Sequence, residues 1–241
     1  MRNSPLYLIF TIIFIFLINL DSAAAQEWIP LFNGEDLSGW EVKTTPADEG
    51  KLFWTVRDGA IEANSMNRPD HDYIWLIHTD EFSDFELRMQ FQAFRDSPGN
   101  SGVQVRSRFD ESPDAPRGGW MNGPQADINP PTPWRTGLIY DETWGERRWI
   151  YPSLKDWNID KSYAPNTWTF AYADEGDGWN DFRIICDGSS IETYLNGLQM
   201  ADLDGSDLLT NEAHEKFNVG MTGHIALQLH SGDEIKIRFK N

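Results

Sequence analysis

The chain has 241 residues, one cysteine and a formal net charge of −18, from 20 basic and 38 acidic side chains. That balance excludes a nucleic-acid binder, whose phosphate contacts are made by clustered Lys and Arg, and it argues against docking on anionic lipid. A hydrophobic fraction of 40 % supplies a core and excludes global disorder, while a single cysteine can neither close an internal disulfide nor build a thiolate metal centre.

The first predicted element is an address. Met1-Arg2-Asn3 is followed by an apolar run from Leu6 to Ile18 and by a small-residue exit at Ala23-Ala24-Ala25. This is the layout of a secretory signal peptide, and the run is short for a membrane span of about 20 residues. The expectation is a leader over residues 1–25, a domain over 26–241 with no membrane span once the leader is removed, and a periplasmic or extracellular location.

From there the dominant period is two. Asp58-Gly59, a strong hairpin signal, sits between Phe53–Val56 and Ala60–Ala63. Tyr73, Trp75 and Ile77 alternate, and Phe85, Leu87, Met89, Phe91 and Ala93 alternate with Glu86, Arg88, Gln90 and Gln92, a long half-buried strand. Val103 and Val105 alternate with Gln104, Arg106 and Arg108. The Pro-rich stretch 110–134 reads as a binding rim on a rigid scaffold. Trp168, Phe170 and Tyr172 predict another strand. Phe182, Ile184 and Cys186 lead through Asp187-Gly188 to Ile191, Thr193 and Leu195 and the turn Asn196-Gly197. Cys186, inside such a strand, reads as a small buried hydrophobe. Glu212–Phe217 suits one helical turn. Ile225, Leu227 and Leu229 oppose His224, Gln228 and His230, and Ser231-Gly232-Asp233 turns into Ile235, Ile237 and Phe239. Strands at this spacing predict a single all-β domain, an antiparallel sandwich or barrel.

Three polar strand faces stand out. Gln104, Arg106 and Arg108 share one, Gln125 and Asp127 share another about 6.6 Å apart, and His224, Gln228 and His230 share a third. Joined in one sheet, they would give an open face of cations, amides, imidazoles and one carboxylate. Two other groups read as bland. Arg147-Arg148 suits surface ion pairs, and the acidic turn Asp174, Glu175, Asp177 and Asp181 lacks calcium-loop spacing and suits a solvated turn.

Seven motifs in order resemble one family. They are Leu31-Phe32-Asn33-Gly34-Glu35-Asp36-Leu37-Ser38-Gly39-Trp40; Phe85-Glu86-Leu87-Arg88; Asn100-Ser101-Gly102-Val103 with Arg106; and Gly123-Pro124-Gln125-Ala126-Asp127-Ile128. Gly137-Leu138-Ile139-Tyr140-Asp141-Glu142, Trp179-Asn180-Asp181 with Leu195-Asn196-Gly197, and the run from Gly223 to His230 complete the series. Together they resemble the 3-keto-disaccharide hydrolase family across the predicted domain. The resemblance implies a concanavalin-like antiparallel β-sandwich, a jelly roll. It also implies an enzyme acting on glycosides already oxidised to a ketone at C3, as a 3-keto-glucoside 1,2-lyase or as a hydratase of the resulting 3-keto-2-hydroxyglucal. Many members carry Glu and then Gln on the central strand, where this chain has Gln125 and Asp127.

That chemistry sets a residue requirement. A C3 ketone acidifies the C2 proton, a base removes it, the enolate expels the C1 substituent, and added water gives the free keto sugar. The site needs a base, donors to the enolate oxygen and an acid for the leaving oxygen. On this reading Asp127 or His230 is the base, and Arg106 stabilises the enolate. Tyr140, or the other of the Asp127–His230 pair, protonates the leaving oxygen. Gln125 and Gln228 hold sugar hydroxyls, with Gln104, Asn100 and His224 as further substrate contacts. Of the crowded Trp120, Trp134, Trp144, Trp149 and Trp157, Trp134 and Trp144 are the predicted sugar platforms. No cofactor is required, and a divalent ion on Asp127 and His230 would be compatible. Because the chain lacks a dinucleotide-binding Gly motif, a separate sugar 3-dehydrogenase would make the substrate. Two functions compete with this one. A non-catalytic carbohydrate-binding module fits the same sandwich. A conventional glycosidase would place two carboxyls roughly 5–5.5 Å apart if retaining, but the E-x-D-x-E strand of sandwich glycosidases is absent.

Overall fold

The computed structural model describes residues 27–155 and 157–241; the predicted leader over 1–25 lies outside the described residues. After β1 (Trp40–Thr44), Asp58 and Gly59 both adopt positive φ, 50° and 70°, and join β2 (Trp54–Arg57) to β3 (Ala60–Asn64). Two such residues match the right-handed strand twist, so they close a two-residue hairpin. β4 (Ile74–Phe82), β5 (Phe85–Ala93) and β6 (Ser101–Asp110) are long, whereas β7 (Trp120–Asn122), β8 (Pro124–Ile128), β9 (Ile139–Asp141) and β10 (Arg148–Tyr151) are short. β11 (Asn180–Asp187), β12 (Ser190–Leu195) and β13 (Leu198–Asp204) form a meander, turning the second time at Asn196 (φ 49°) and Gly197 (φ 82°). One helical turn, α1 (Glu212–Phe217), starts where Asn211 Oδ1 accepts from the Ala213 and His214 amides, the expected N-cap bond. β14 (Gly223–Leu229) and β15 (Lys236–Lys240) complete the chain.

The strands form two antiparallel sheets. The first runs β1-β4-β14-β6-β8-β9-β10, with β7 paired to β6, and the second runs β13-β12-β11-β5-β15-β3-β2. Period-two alternation decides what lies between them. Ile74, Leu76, Val103, Val105, Ala126, Ile128, Ile225, Leu227 and Leu229 of the first sheet pack on Phe91, Phe182, Ile184, Ile191, Ile237 and Phe239 of the second. The architecture is the predicted antiparallel jelly-roll sandwich. The alternate residues of the first sheet, including Trp75, Ala226, Gln228, Gln104, Gln125, Asp127 and Tyr140, therefore face away from the second sheet. Trp75 and Ala226 belong to a separate apolar cluster with Tyr73, Ile77, Trp120 and Met121 on that outer side.

Two elements differ from the sequence expectation. Residues 168–172 form no strand; Tyr172 makes one isolated bridge to Ala93, and the Asn180 side chain takes the place of a ladder by bonding both the Ala171 amide (2.7 Å) and the Ala171 carbonyl (2.8 Å). The second difference is a bulge in β6. Between its pairings with His224 and Ala226, β6 spends three residues, Ser107 back to Gln104, where β14 spends two. The extra residue is Arg106, at φ 49°. A bulge moves the later side chains of its strand to the opposite face, so Ser107 rather than Arg106 lies beside Gln104, and its hydroxyl donates to Gln104 Oε1 (3.1 Å).

Candidate active site on the outer face of the first sheet

Register places the central residues in rows. Gln104 of β6 pairs with Gln125 of β8, and Gln125 with Tyr140 of β9; Trp75 of β4 pairs with Gln228 of β14, and Gly102 of β6 with Asp127 of β8. All seven are buried. Gln104 Nε2 donates to Gln125 Oε1 (3.0 Å), so the Ser107–Gln104–Gln125 chain fixes the Gln125 amide. The side chain of Gln125 lies across Gly102, where an added Cβ would meet Gln125 Cδ at 2.4 Å.

Cover comes from β7 and the segment after β9. The Trp120 indole donates to the Glu142 carbonyl (2.7 Å), Asn122 Oδ1 accepts from the Trp144 amide (2.9 Å), and the Glu142 amide donates to Gly123 O (3.0 Å). Asp141 points the other way and pairs, fully buried, with His214 of α1 at 3.1 Å. This anchoring turns Glu142 onto the outer face, where Gln228 Nε2 donates to its Oε1 (3.3 Å) and Arg147 Nε lies 3.9 Å from its Oε2. The Arg147 guanidinium covers the Trp120 ring at 4.8 Å and the Trp144 ring at 5.7 Å. On the opposite side Arg135 Nε is 3.2 Å from Asp127 Oδ2 and its guanidinium lies 5.0 Å from the Trp149 ring. At one end His230 Nδ1 contacts Asp233 Oδ2 (2.9 Å) and its Nε2 contacts the Tyr73 hydroxyl (3.0 Å).

Burial sets the charges. It pushes the Glu142 carboxyl up to about 7, with Arg147, His230 and Gln228 pulling the other way. Burial likewise raises Asp127, against the pull of Arg135 and His230. Both Tyr73 and Tyr140 are pushed well above the ordinary phenol range, first by burial and then by the Glu142 charge, so they remain hydroxyl donors at neutral pH. Asp233 is lowered, chiefly by its bond to His230, and stays ionised. Several buried polar atoms of this face have no hydrogen-bond partner among the described residues: Glu142 Oε2, Gln228 Oε1, Tyr140 Oη and the indole nitrogens of Trp75 and Trp149. Folded proteins rarely strand such atoms unless something else completes them. A polar ligand on this face would do so.

The structure gathers Asp127, Tyr140, Gln104, Gln125, Gln228 and His230 on this side of the sheet. Asn100 lies at the His230 end, where its backbone amide supports the Asp233 carboxylate, and its own Oδ1 is buried without a partner among the described residues. Trp134 packs beside Leu138, Tyr140 and Trp149, and Trp144 stands 43 % exposed at the rim. Two residues are placed elsewhere. Arg106 is fully buried against the connections between strands, where it donates to Ser83 O (2.5 Å), Gly188 O (2.5 Å), Gly220 O (3.4 Å) and Asp84 Oδ1 (2.9 Å). The bulge turns it away, so its predicted contact with an enolate is corrected to a structural tie. His224 lies four residues before Gln228, roughly 13 Å along the strand. There it contacts His78 O (2.9 Å) and lines a separate cavity of about 290 Å³ with Lys43, Arg108 and Glu111.

Arg147, Arg135, Tyr73 and Glu142 are members of this face that the sequence roles omit. For Glu142 the signal is its spacing of two from Tyr140, one residue past the end of buried β9. For Arg147 there is none, because a loop carries it back over the sheet. Asp127 is engaged with Arg135, and among the described residues no three His, Cys, Asp or Glu side chains gather around one point. In the acidic turn, Asp174 and Glu175 both pair with Arg95.

The class that fold and site define is an antiparallel jelly-roll sandwich with a polar, tryptophan-rimmed outer face on its first sheet. The chain belongs to the 3-keto-alpha-glucoside-1,2-lyase-like domain family, whose model matches residues 27–241. Its function is therefore carbohydrate-related. Two proteins of Parabacteroides distasonis, each named as a candidate glycosyl hydrolase, share the fold. One is 24 % identical with a TM-score of 0.54, covering 90 % of this chain and 97 % of its own. The other is 21 % identical with a TM-score of 0.51, covering 88 % and 89 %. A Bacillus subtilis protein of unknown function with a galectin-like fold is 12 % identical, with a TM-score of 0.50 over 85 % and 87 % of the two chains. No curated protein sequence matches this chain.

Proposed function

We propose that the protein cleaves 3-keto-glycosides by removing the C2 proton and expelling the C1 substituent. The observation that carries this reading is Glu142, a buried carboxyl poised at about 7 whose Oε2 faces Arg147 at 3.9 Å but accepts no hydrogen bond among the described residues, set beside the Tyr140 hydroxyl, which likewise has no hydrogen-bond partner there. A base whose pKa lies near the working pH combines the ionised form with useful proton affinity. Glu142 takes the C2 proton, the C2–H electron pair moves into the enolate, and Tyr140 donates to the C3 oxygen. Asp127 with Arg135, together with Gln125 and Gln228, holds hydroxyls, and Trp134 and Trp144 flank the sugar. Family membership supports the substrate class. The leader-like N-terminus supports export, and a separate dehydrogenase would supply the C3 ketone.

A specific observation also favours ordinary hydrolysis. Two carboxyls, Asp127 and Glu142, share the outer face, whereas the polar strand faces in the sequence offered one. The test is to incubate purified protein with a 3-keto glucoside and with its unoxidised parent, with and without chelator, and follow aglycone release. Release from the keto form alone supports C2 proton abstraction, and chelator sensitivity adds a divalent ion. Release from the parent selects two-carboxylate hydrolysis, and binding without release from either selects a sugar-binding module.

A further inference from the structure

Tyr73 has no part in the sequence roles, yet its hydroxyl is wired to a charge system. It is buried, stacks on Trp75 at 5.5 Å and meets Trp120 edge-on at 5.1 Å. Its hydroxyl lies 3.0 Å from His230 Nε2, and His230 Nδ1 lies 2.9 Å from Asp233 Oδ2. Asp233 is itself tied down. Its backbone carbonyl meets His71 Nε2 at 3.0 Å and accepts from the Ser65 hydroxyl at 3.0 Å. Trp120 bridges Tyr73 to the base, its ring meeting the Tyr73 ring and its indole donating to the Glu142 carbonyl at 2.7 Å. The face thus holds a carboxyl base on one side and a Tyr–His–carboxylate chain on another.

We propose that Tyr73 is the acid that protonates the leaving oxygen, with His230 and Asp233 as positioning residues; this rests on the reading of Glu142 as the C2 base. In the imidazolium form, His230 donates through Nδ1 to Asp233 and through Nε2 to the Tyr73 oxygen. The Tyr73 proton is then free to point at the glycosidic oxygen. As the enolate re-forms the C3 carbonyl and makes the C1–C2 double bond, the C1–O bond breaks with its electron pair on oxygen. That oxygen takes the Tyr73 proton, and Tyr73 takes the Nε2 proton of His230, leaving neutral imidazole on Asp233. The C2 proton stays on Glu142 until solvent removes it, and solvent returns one proton to His230. No redox partner is needed. This division replaces Tyr140 as the acid and frees it for the enolate oxygen.

The experiment exploits the leaving group. An alkoxide needs protonation to depart, whereas a nitrophenolate departs without it. The keto forms of methyl and 4-nitrophenyl glucoside are given to the wild type, Tyr73→Phe and His230→Gln, following alcohol release and, in deuterium oxide, exchange at C2. Both variants are expected to lose methanol release by about 10²-fold or more, to keep nitrophenol release within about 5-fold, and to keep C2 exchange. Equal losses for both leaving groups, or loss of C2 exchange, would overturn the role of Tyr73. Tyr73→Phe keeps the ring against Trp75 and Trp120, and His230→Gln leaves Tyr73 in place, so the two must show the same split. A packing defect would slow both substrates alike. A wild type that neither exchanges C2 nor releases either alcohol would fail the base reading itself, a result separable from failure of the variants alone.

Discussion

A carboxyl held at about 7 has two measurable consequences, and the kinetic one belongs to the residue itself. The form of Glu142 that accepts a proton is the carboxylate, which is the minor species below about 7. As base, it makes kcat/KM for a keto glycoside rise with pH through that value and level off above it; an acid role would give the opposite slope. Glu142→Gln keeps the Gln228 and Trp120 neighbourhood but cannot take the proton, so kcat should fall by about 10²–10⁴-fold. Asp127→Asn should act mainly on KM, because Asp127 is already paired with Arg135. Arg106 makes the opposite case. Four acceptors depend on its guanidinium, three of them main-chain carbonyls, and Lys reaches them with a single point of charge. Arg106→Lys should cost about 2–3 kcal/mol of stability, read from urea unfolding, and leave kcat per folded molecule near wild type. A large fall in kcat with unchanged stability would restore Arg106 to the chemistry.

At the scale of the strand, Gly102 shows how an element is shaped for its neighbour. No left-handed backbone is involved; the constraint is the Gln125 side chain lying where a Cβ would be. Gly102→Ala should force Gln125 out of its bond with Gln104 and lower kcat/KM by about 10-fold or more, with an overpacking cost of about 1–3 kcal/mol. Steady-state kinetics beside a thermal melt separates the two effects. The same strand shows what the amino-acid pattern carries and where it stops. Alternation reveals the outward face of β8, with Gln125 and Asp127, and of β14, with Gln228, because period two holds through each, and it carries on to His230 one residue past the end of β14. In β6 it misleads beyond Val105, because one left-handed residue, Arg106, shifts every later side chain to the other face and nothing in Val-Gln-Val-Arg-Ser-Arg marks where the shift falls. The hairpins at Asp58-Gly59 and Asn196-Gly197 are legible because their turn chemistry is local. Trp168–Tyr172 alternates like a strand, yet Asn180 satisfies its backbone in place of a partner. Arg147 and Trp157 return from irregular loops; Trp157 stacks on Tyr140 at 4.7 Å, a meeting set by the path of the chain rather than by any spacing.

For the whole molecule, the buried carboxyls make the site a source of instability at neutral pH. Glu142 ionises at 4.5 when unfolded and at about 7 when folded. The folded state therefore holds its proton more tightly, and the stability this lends is complete below 4.5 and lost as pH rises through 7. The difference amounts to about 3 kcal/mol. Asp127, raised by the same burial, adds to it in the same direction. The ion-paired carboxyls act with the opposite sign. Glu86 is lowered by its bond to Arg183, Glu81 by Arg108 and Asp233 by His230; they stabilise above the ordinary carboxylate range and lose that contribution as pH falls through their lowered values. The two sets bracket a maximum in mildly acid solution, and the net charge of −18 steepens the neutral side through self-repulsion. Wild-type protein should accordingly melt higher at pH 5 than at pH 8. Glu142→Gln buries a neutral amide at every pH, so its fall between pH 5 and 8 should be smaller than that of the wild type by roughly 6–12 °C, given about 2–4 °C per kcal/mol for a chain of this size. At pH 8 the inactive variant would then be the more stable protein, the signature of a carboxylate kept in a dry site for its reactivity. Parallel melting curves for the two proteins would mean that Glu142 ionises normally when folded, and would remove it as the base.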